Sequence, residues 1–178
     1  MKTTVLIICL IVLGVFSQNN QAFAHSPDSY TSTIYKDADG WNLQITFGSY
    51  GILESLKKYS KDFELQLSNS SKFKTLLDKY LQEHVQITAN KEIKAVLGDY
   101  RASVNHHAVD VFYTLDSLPM LPLYWDIMIN AQKENLVPPT NLTIIRIGDH
   151  MNSFKLTEQN SYTVQAMKNT KGGFKSLN

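Results

Sequence analysis

The sequence predicts a mainly β protein: a β-sandwich of about seven to nine strands with one or two inserted α-helices. Three observations carry this. Short runs alternate apolar and polar residues along most of the chain, the period of a half-buried strand. Turn residues and prolines separate those runs at short intervals. One segment, near residues 71–84, keeps a sustained helical period. The 178 residues are 43% apolar and 19% charged, a globular composition. Lys plus Arg number 17 against 16 Asp plus Glu, which excludes a strongly basic nucleic-acid binder.

The first 24 residues read as a secretory signal peptide. Lys2 gives a positive start, Val5 to Phe16 is an apolar run broken by Gly14, and Ala22-Phe23-Ala24 fits a cleavage site. The run is shorter than the roughly 20 apolar residues of a spanning helix, so no membrane span is expected after cleavage. Cys9, the one cysteine, lies inside it. A chain processed after Ala24 therefore has no disulfide, no thiolate nucleophile and no Cys-ligated metal. The expected organisation is a signal peptide over 1–24, one sandwich domain over 25–167 and a flexible tail over 168–178. The tail expectation rests on Gly172-Gly173 and three nearby lysines. The expected location is the bacterial periplasm or the cell exterior.

Ser29 to Tyr35 and Trp41 to Phe47 alternate on either side of Asp37-Ala38-Asp39-Gly40. Two such runs around an Asp-Gly turn predict a β-hairpin with Trp41, Leu43, Ile45 and Phe47 on the core face. Ile52 to Leu67 fits a helix in its first half and a strand in its second. Ser71 is a good N-cap. Phe73, Leu76, Leu77, Tyr80 and Leu81 then mark an amphipathic helix, with Lys72, Lys74, Asp78, Lys79 and Glu83 on its other side. Period two returns in Val85 to Thr88, Ile93 to Leu97 and His107 to Leu115. It continues in Leu123 to Ala131, Leu142 to Ile147, Ser153 to Thr157 and Tyr162 to Ala166.

Several of these elements carry a resemblance. His25-Ser26-Pro27-Asp28 leads into a strand–turn–strand ending Gly40-Trp41-Asn42-Leu43-Gln44-Ile45. A helix ending Lys79-Tyr80-Leu81 precedes Val85-Gln86-Ile87, and Asn141-Leu142-Thr143-Ile144-Ile145 is followed by Phe154-Lys155-Leu156. This resembles a family of small exported bacterial proteins of unknown function. That family is similar to the extracytoplasmic part of hydrogenase/urease-accessory permeases, which also begin with Ala-His after cleavage. The resemblance implies an exported β-sandwich and no established activity. Where the family pattern has Gly-His-Glu, this chain has Leu97-Gly98-Asp99-Tyr100, with histidines later at His106 and His107. No functional residue is carried over.

The sharpest chemistry is copper. If cleavage follows Ala24, His25 offers an α-amine and an imidazole on one residue, a nitrogen pair suited to Cu(II). His106 or His107 is the candidate to complete the site, and on one strand they would point to opposite faces. His84, His150 and Asp110 complete the pool of ligands. Asp37-x-Asp39-Gly40 resembles part of a calcium loop, but Tyr35 and Thr46 stand where further acids are needed, which favours a hairpin turn. No Gly-x-Ser-x-Gly elbow, His-Glu-x-x-His or phosphate-cradling glycine loop is present. Asp99, Asp110, Asp126 and Asp149 form no acid–base spacing, so no enzyme is expected. An outward Trp125 or Phe112 would anchor a partner, although alternation places Trp125, Ile127 and Ile129 inside. The expected function is an exported, non-catalytic binding or interaction module with a protein partner in the cell envelope. The alternative is a periplasmic copper-binding protein using His25.

Overall fold

The computed structural model describes residues 29–61, 64–131 and 141–177. The described residues form eleven strands in two sheets, with two α-helices between the second and third strands. The expected sandwich with inserted helices is therefore the fold, with more strands than the seven to nine expected.

Strands β1 (Tyr30–Lys36) and β2 (Trp41–Gly48) form the expected hairpin. The Asp37 carboxylate accepts the Asp39 and Gly40 amides at 3.0 and 3.1 Å, and its second oxygen takes Asn42 Nδ2 at 2.9 Å. These oxygens are spent on the turn. Gly40 has φ +146, which favours glycine. Helix α1 (Ser49–Ser60) follows β2 without a loop and buries Ile52 and Leu56. Helix α2 (Ser71–His84) begins one residue before expectation in capping terms. Ser70, not Ser71, is the N-cap, accepting the Phe73 amide at 3.3 Å. Phe73, Leu77, Tyr80 and Leu81 are its buried stripe.

The chain then enters the smaller sheet through β3 (Val85–Ala89) and the two-residue β4 (Ile93–Lys94). The amide of Ala95 still bonds Ile87 at 2.8 Å, and past it the chain crosses to the larger sheet as β5 (Val96–Val104). The expected strand Ile93–Leu97 is thus divided between sheets. Its continuation past Gly98 was masked by a bulge: register shifts between Leu97 and Tyr100, and the Asp99 amide bonds Thr114 Oγ1 at 2.9 Å. A side chain at Gly98 would collide with the Thr114 hydroxyl and the Asp116 carboxylate. Strands β6 (Ala108–Asp116), β7 (Tyr124–Ile129), β8 (Asn141–Ile147), β9 (His150–Leu156), β10 (Thr163–Lys168) and β11 (Phe174–Ser176) complete the fold.

The larger sheet runs β5-β6-β2-β1-β8-β9 and the smaller β11-β10-β7-β3-β4. All pairings are antiparallel except β1 with β8. The buried Ser32 and Thr143 hydroxyls meet across that parallel pair at 2.8 Å. Trp41 and Trp125 meet edge to face between the sheets, 5.1 Å apart. The Tyr30 hydroxyl donates to the Ile129 carbonyl of the opposite sheet. Helix α1 packs on β2, β6 and α2, while α2 packs on β3 and β5. The helices fill the end of the sandwich where the smaller sheet stops short.

Within the segment 168–178 expected to be a flexible tail, the described residues up to 177 include a turn and strand β11. Phe174 is buried against Trp125, ring centres 6.5 Å apart, and its amide bonds Asn152 Oδ1 of β9 at 2.8 Å. The glycines there make the turn into β11; Gly172 has φ +88 and lies against the His150 ring. Phe174→Ala is expected to cost about 3 kcal/mol, the low end for a buried phenylalanine because the strand is at an edge. Chemical denaturation checks this, and a midpoint equal to the parent would mean the tail adds nothing to the core.

Candidate functional site

Two surface features carry chemistry that the core does not consume. The first is a cleft of about 420 Å³ between α2 and β5. Ser71, Lys74, Thr75 and Asp78, one helical stripe, form one wall; Tyr100, Arg101 and Ala102 form the other. The helix runs along the free edge of β5 and is tied to it at both ends. Asn69, just before the helix, donates to the Val104 carbonyl at 3.0 Å and accepts the Val104 amide at 3.2 Å. Gln82, near the helix end, donates to the Leu97 carbonyl at 3.4 Å. In the β5–β6 ladder the backbone groups alternate, so Tyr100 and Ala102 face the same outer edge as Val104.

Asp78 belongs to the helix wall of this cleft. Its Oδ1 accepts the Tyr113 hydroxyl at 2.7 Å and Gln82 Nε2 at 3.4 Å. Tyr100 stacks at a tilt on Tyr113, ring centres 5.2 Å apart, and its buried hydroxyl has no partner among the described residues. Burial, then the hydrogen bond to Asp78, pushes the Tyr113 phenol far above its ordinary value. Burial, then the Asp78 charge, does the same to Tyr100.

The second feature is an apolar pole. Leu118-Pro119-Met120-Leu121-Pro122-Leu123 connects β6 to β7. Met120, Leu121 and Leu123 are 75%, 53% and 61% exposed, far beyond what isolated surface residues of a loop require. The loop is held in place: the Trp41 indole donates to the Pro119 carbonyl at 2.9 Å, and Asn90 Oδ1 accepts the Leu123 and Tyr124 amides. Exposed Met167 pairs with Tyr124 beside it. Lys91 lies 5.6 Å over the Tyr124 ring, and the Lys168 amide bonds the Leu123 carbonyl at 2.8 Å.

The candidate metal ligands are arranged differently from expectation. His25 lies outside the described residues. His106 and His107 stand in the exposed turn between β5 and β6, not on a strand, so the expected alternation of their faces does not hold. Asn105 makes that turn, its Oδ1 accepting the His107 and Ala108 amides. Asp110 bonds Thr46, His84 stacks on Tyr80, and His150 packs on Gly172. Next to His84, Tyr59 donates to Glu83 at 2.6 Å, which pushes its phenol up to about 12. Among the described residues no group of three or more His, Cys, Asp or Glu is placed to hold a metal. Trp125 is fully buried, as alternation indicated, while Phe112 is half-buried on the outer sheet face.

Neither leading feature was singled out by the sequence patterns. Asp78 counted as part of a solvated helix face, and Met120 and Leu121 fit neither period. The prolines flanking them were the available signal. No protein-family model matches the chain, and no curated protein matches it. No helix of the described residues is long and apolar enough to cross a membrane.

The tyrosine cluster has a pH signature. The folded-state values of Tyr100 and Tyr113 lie above the unfolded value of about 10, so the unfolded chain loses these protons first. Their contribution to stability is whole below about pH 10 and is lost as pH rises toward the folded values. The urea midpoint is expected to hold between about pH 7 and 9 and to fall above 10. A Tyr100→Phe, Tyr113→Phe double variant should fall less steeply; an identical alkaline limb would remove the cluster from the account.

Proposed function

We propose that this protein is an exported, non-catalytic interaction module that docks on a protein partner in the cell envelope through its apolar pole. The observation that carries this reading is the exposure of Met120, Leu121 and Leu123 on a loop pinned by Trp41 and Asn90. A fixed apolar projection loses little conformational freedom when a partner covers it. Lys91 and Lys168 flank it, Glu92 follows Lys91 in the chain, and Asp116 ends β6 just before the loop. Mixed charge around an apolar centre suits a folded protein surface with an apolar pocket and a polar rim. The reading also agrees with the resemblance to small exported bacterial proteins.

A photo-cross-linking residue at Leu121 should give a discrete adduct in cells, and one at exposed Ser153 on β9 should not. The Met120→Ser, Leu123→Ser variant should lose the adduct while changing stability by less than about 0.5 kcal/mol. Equal adducts at both positions, no adduct at Leu121, or an adduct that survives the serines would overturn the reading.

A second reading, a copper site at the other pole, is favoured by one local arrangement. The Ser29 carbonyl, at the start of β1, accepts the Gly48 amide at 3.0 Å. The next residue, Ser49, bonds the His107 carbonyl through its amide at 3.2 Å and the His106 carbonyl through its hydroxyl at 3.0 Å. His25 precedes Ser29 by four residues, a stretch that spans at most about 14 Å. That reach exceeds the roughly 10 Å of two strand spacings between β1 and β6. Cu(II) should then bind the processed protein at sub-micromolar concentration, and a glycine added before His25 should abolish this. Weak binding that is the same in both forms would sink the copper reading.

A further inference from the structure

The cleft between α2 and β5 stands apart from the apolar pole and from the histidine turn. Its strand wall is an unfinished ladder. At Val104 the ladder is continued by the side-chain amide of Asn69, which donates and accepts as a peptide group on a neighbouring strand would. Two residues further along, Ala102 presents its amide and carbonyl to the same edge, and Tyr100 does so two residues beyond that. Neither has a partner on that side among the described residues. Gln82 closes the far end at Leu97. The open stretch is about three residues long, bounded by two side-chain amides.

The cleft also holds a carboxylate that makes no ion pair among the described residues. Both hydrogen bonds to Asp78 fall on Oδ1, and among the described residues the ion pair found is Lys58 with Glu54, not one involving Asp78. The unpartnered Tyr100 hydroxyl is a second acceptor beside it. A residue paired with Ala102 would point its side chain to the face Ala102 shares with Tyr113, which is the side on which Asp78 lies. Lys74 and Arg101 line the same cleft without an ion pair to Asp78 among the described residues.

We propose that this cleft binds a short extended peptide by strand addition to Tyr100–Ala102, with a lysine or arginine side chain of the peptide seated on Asp78. Backbone hydrogen bonds supply the sequence-independent part of such binding, and the side-chain pocket supplies selectivity. The inference does not depend on the docking role of the apolar pole.

The test is a titration of the isotope-labelled full chain with acetyl-Ala-Lys-Ala-amide, followed by amide NMR. Acetyl-Ala-Glu-Ala-amide and free lysine are the comparators. The lysine peptide should shift the Tyr100 and Ala102 amides downfield and saturate within about 10 mM, the range open to so small a ligand. The glutamate peptide should bind at least about tenfold more weakly, as should the lysine peptide on Asp78→Asn. Thr75→Arg, which fills the cleft from an exposed helix position, should abolish the shifts in a chain whose remaining spectrum is unchanged. No saturable shift, equal affinity for the two peptides, or undiminished binding to Asp78→Asn would overturn the proposal. Free lysine binding as well as the peptide would show that the strand edge takes no part, and would overturn it too.

Discussion

The Tyr30 phenol spans the interior and ends on the Ile129 carbonyl, so one side chain sets how far apart the two sheets lie. Packed sheets stand about 10 Å apart, and a tyrosine reaching to a backbone acceptor admits little variation around that spacing. Both groups are buried, so neither finds water if the bond is not made, which costs on the order of 1–3 kcal/mol. The same residue is fixed from two other directions. Its amide bonds Asn141 Oδ1 at 3.0 Å, and its ring packs at 5.3 Å on Phe47. Strands β1, β2, β7 and β8 therefore meet at a single position. Toward the other end of these strands, Trp41 and Trp125 make a second contact between the sheets.

With β7 held opposite β1, the smaller sheet does not extend far enough to cover β5 and β6. The two helices fill the remainder, and their fit is less complete than that of a strand. Tyr100 and Tyr113 face a helix rather than a sheet, and the polar stripe of α2 is brought against the β5 edge. The cleft is the residue of that substitution. The opposite side of the sandwich is closed differently, by Asn152 and Phe174 bonding between β9 and β11. The side chains of Asn69 and Gln82 cap the β5 edge only at Val104 and Leu97, so pairing with another chain is confined to the short stretch between them.

Much of the architecture was legible wherever one face of an element is buried. Trp41, Leu43, Ile45 and Phe47 alternate because β2 has the core on one side, and Phe73, Leu77, Tyr80 and Leu81 repeat because α2 does too. Legibility failed where a local device interrupts the period. The bulge at Gly98 and Asp99 concealed the length of β5, and the crossing at Ala95 made two strands look like one. Lysine and glycine content made β11 look like a tail, although its pairing with β10 and the burial of Phe174 anchor it. His107 sits one residue before β6, so periodicity carried it onto the strand when it belongs to the turn. Asp78 is ordinary in sequence; its interest arises only from Tyr113 and Tyr100, distant residues that topology delivers to it.

The parallel pairing of β1 with β8 has a consequence for the order of assembly. Thr31 aligns with Leu142 and Tyr35 with Arg146, so contacts between neighbouring central strands join residues more than a hundred positions apart. The β1–β2 hairpin forms from local sequence, but the other side of β1 stays open until β8, in the last quarter of the chain, is present. Such non-local closure is slow compared with hairpin or helix formation. During synthesis, a central strand of the finished protein is therefore an unprotected edge, rich in β-branched and aromatic residues. An emerging chain spends that interval dependent on whatever keeps β1 from pairing with a neighbour.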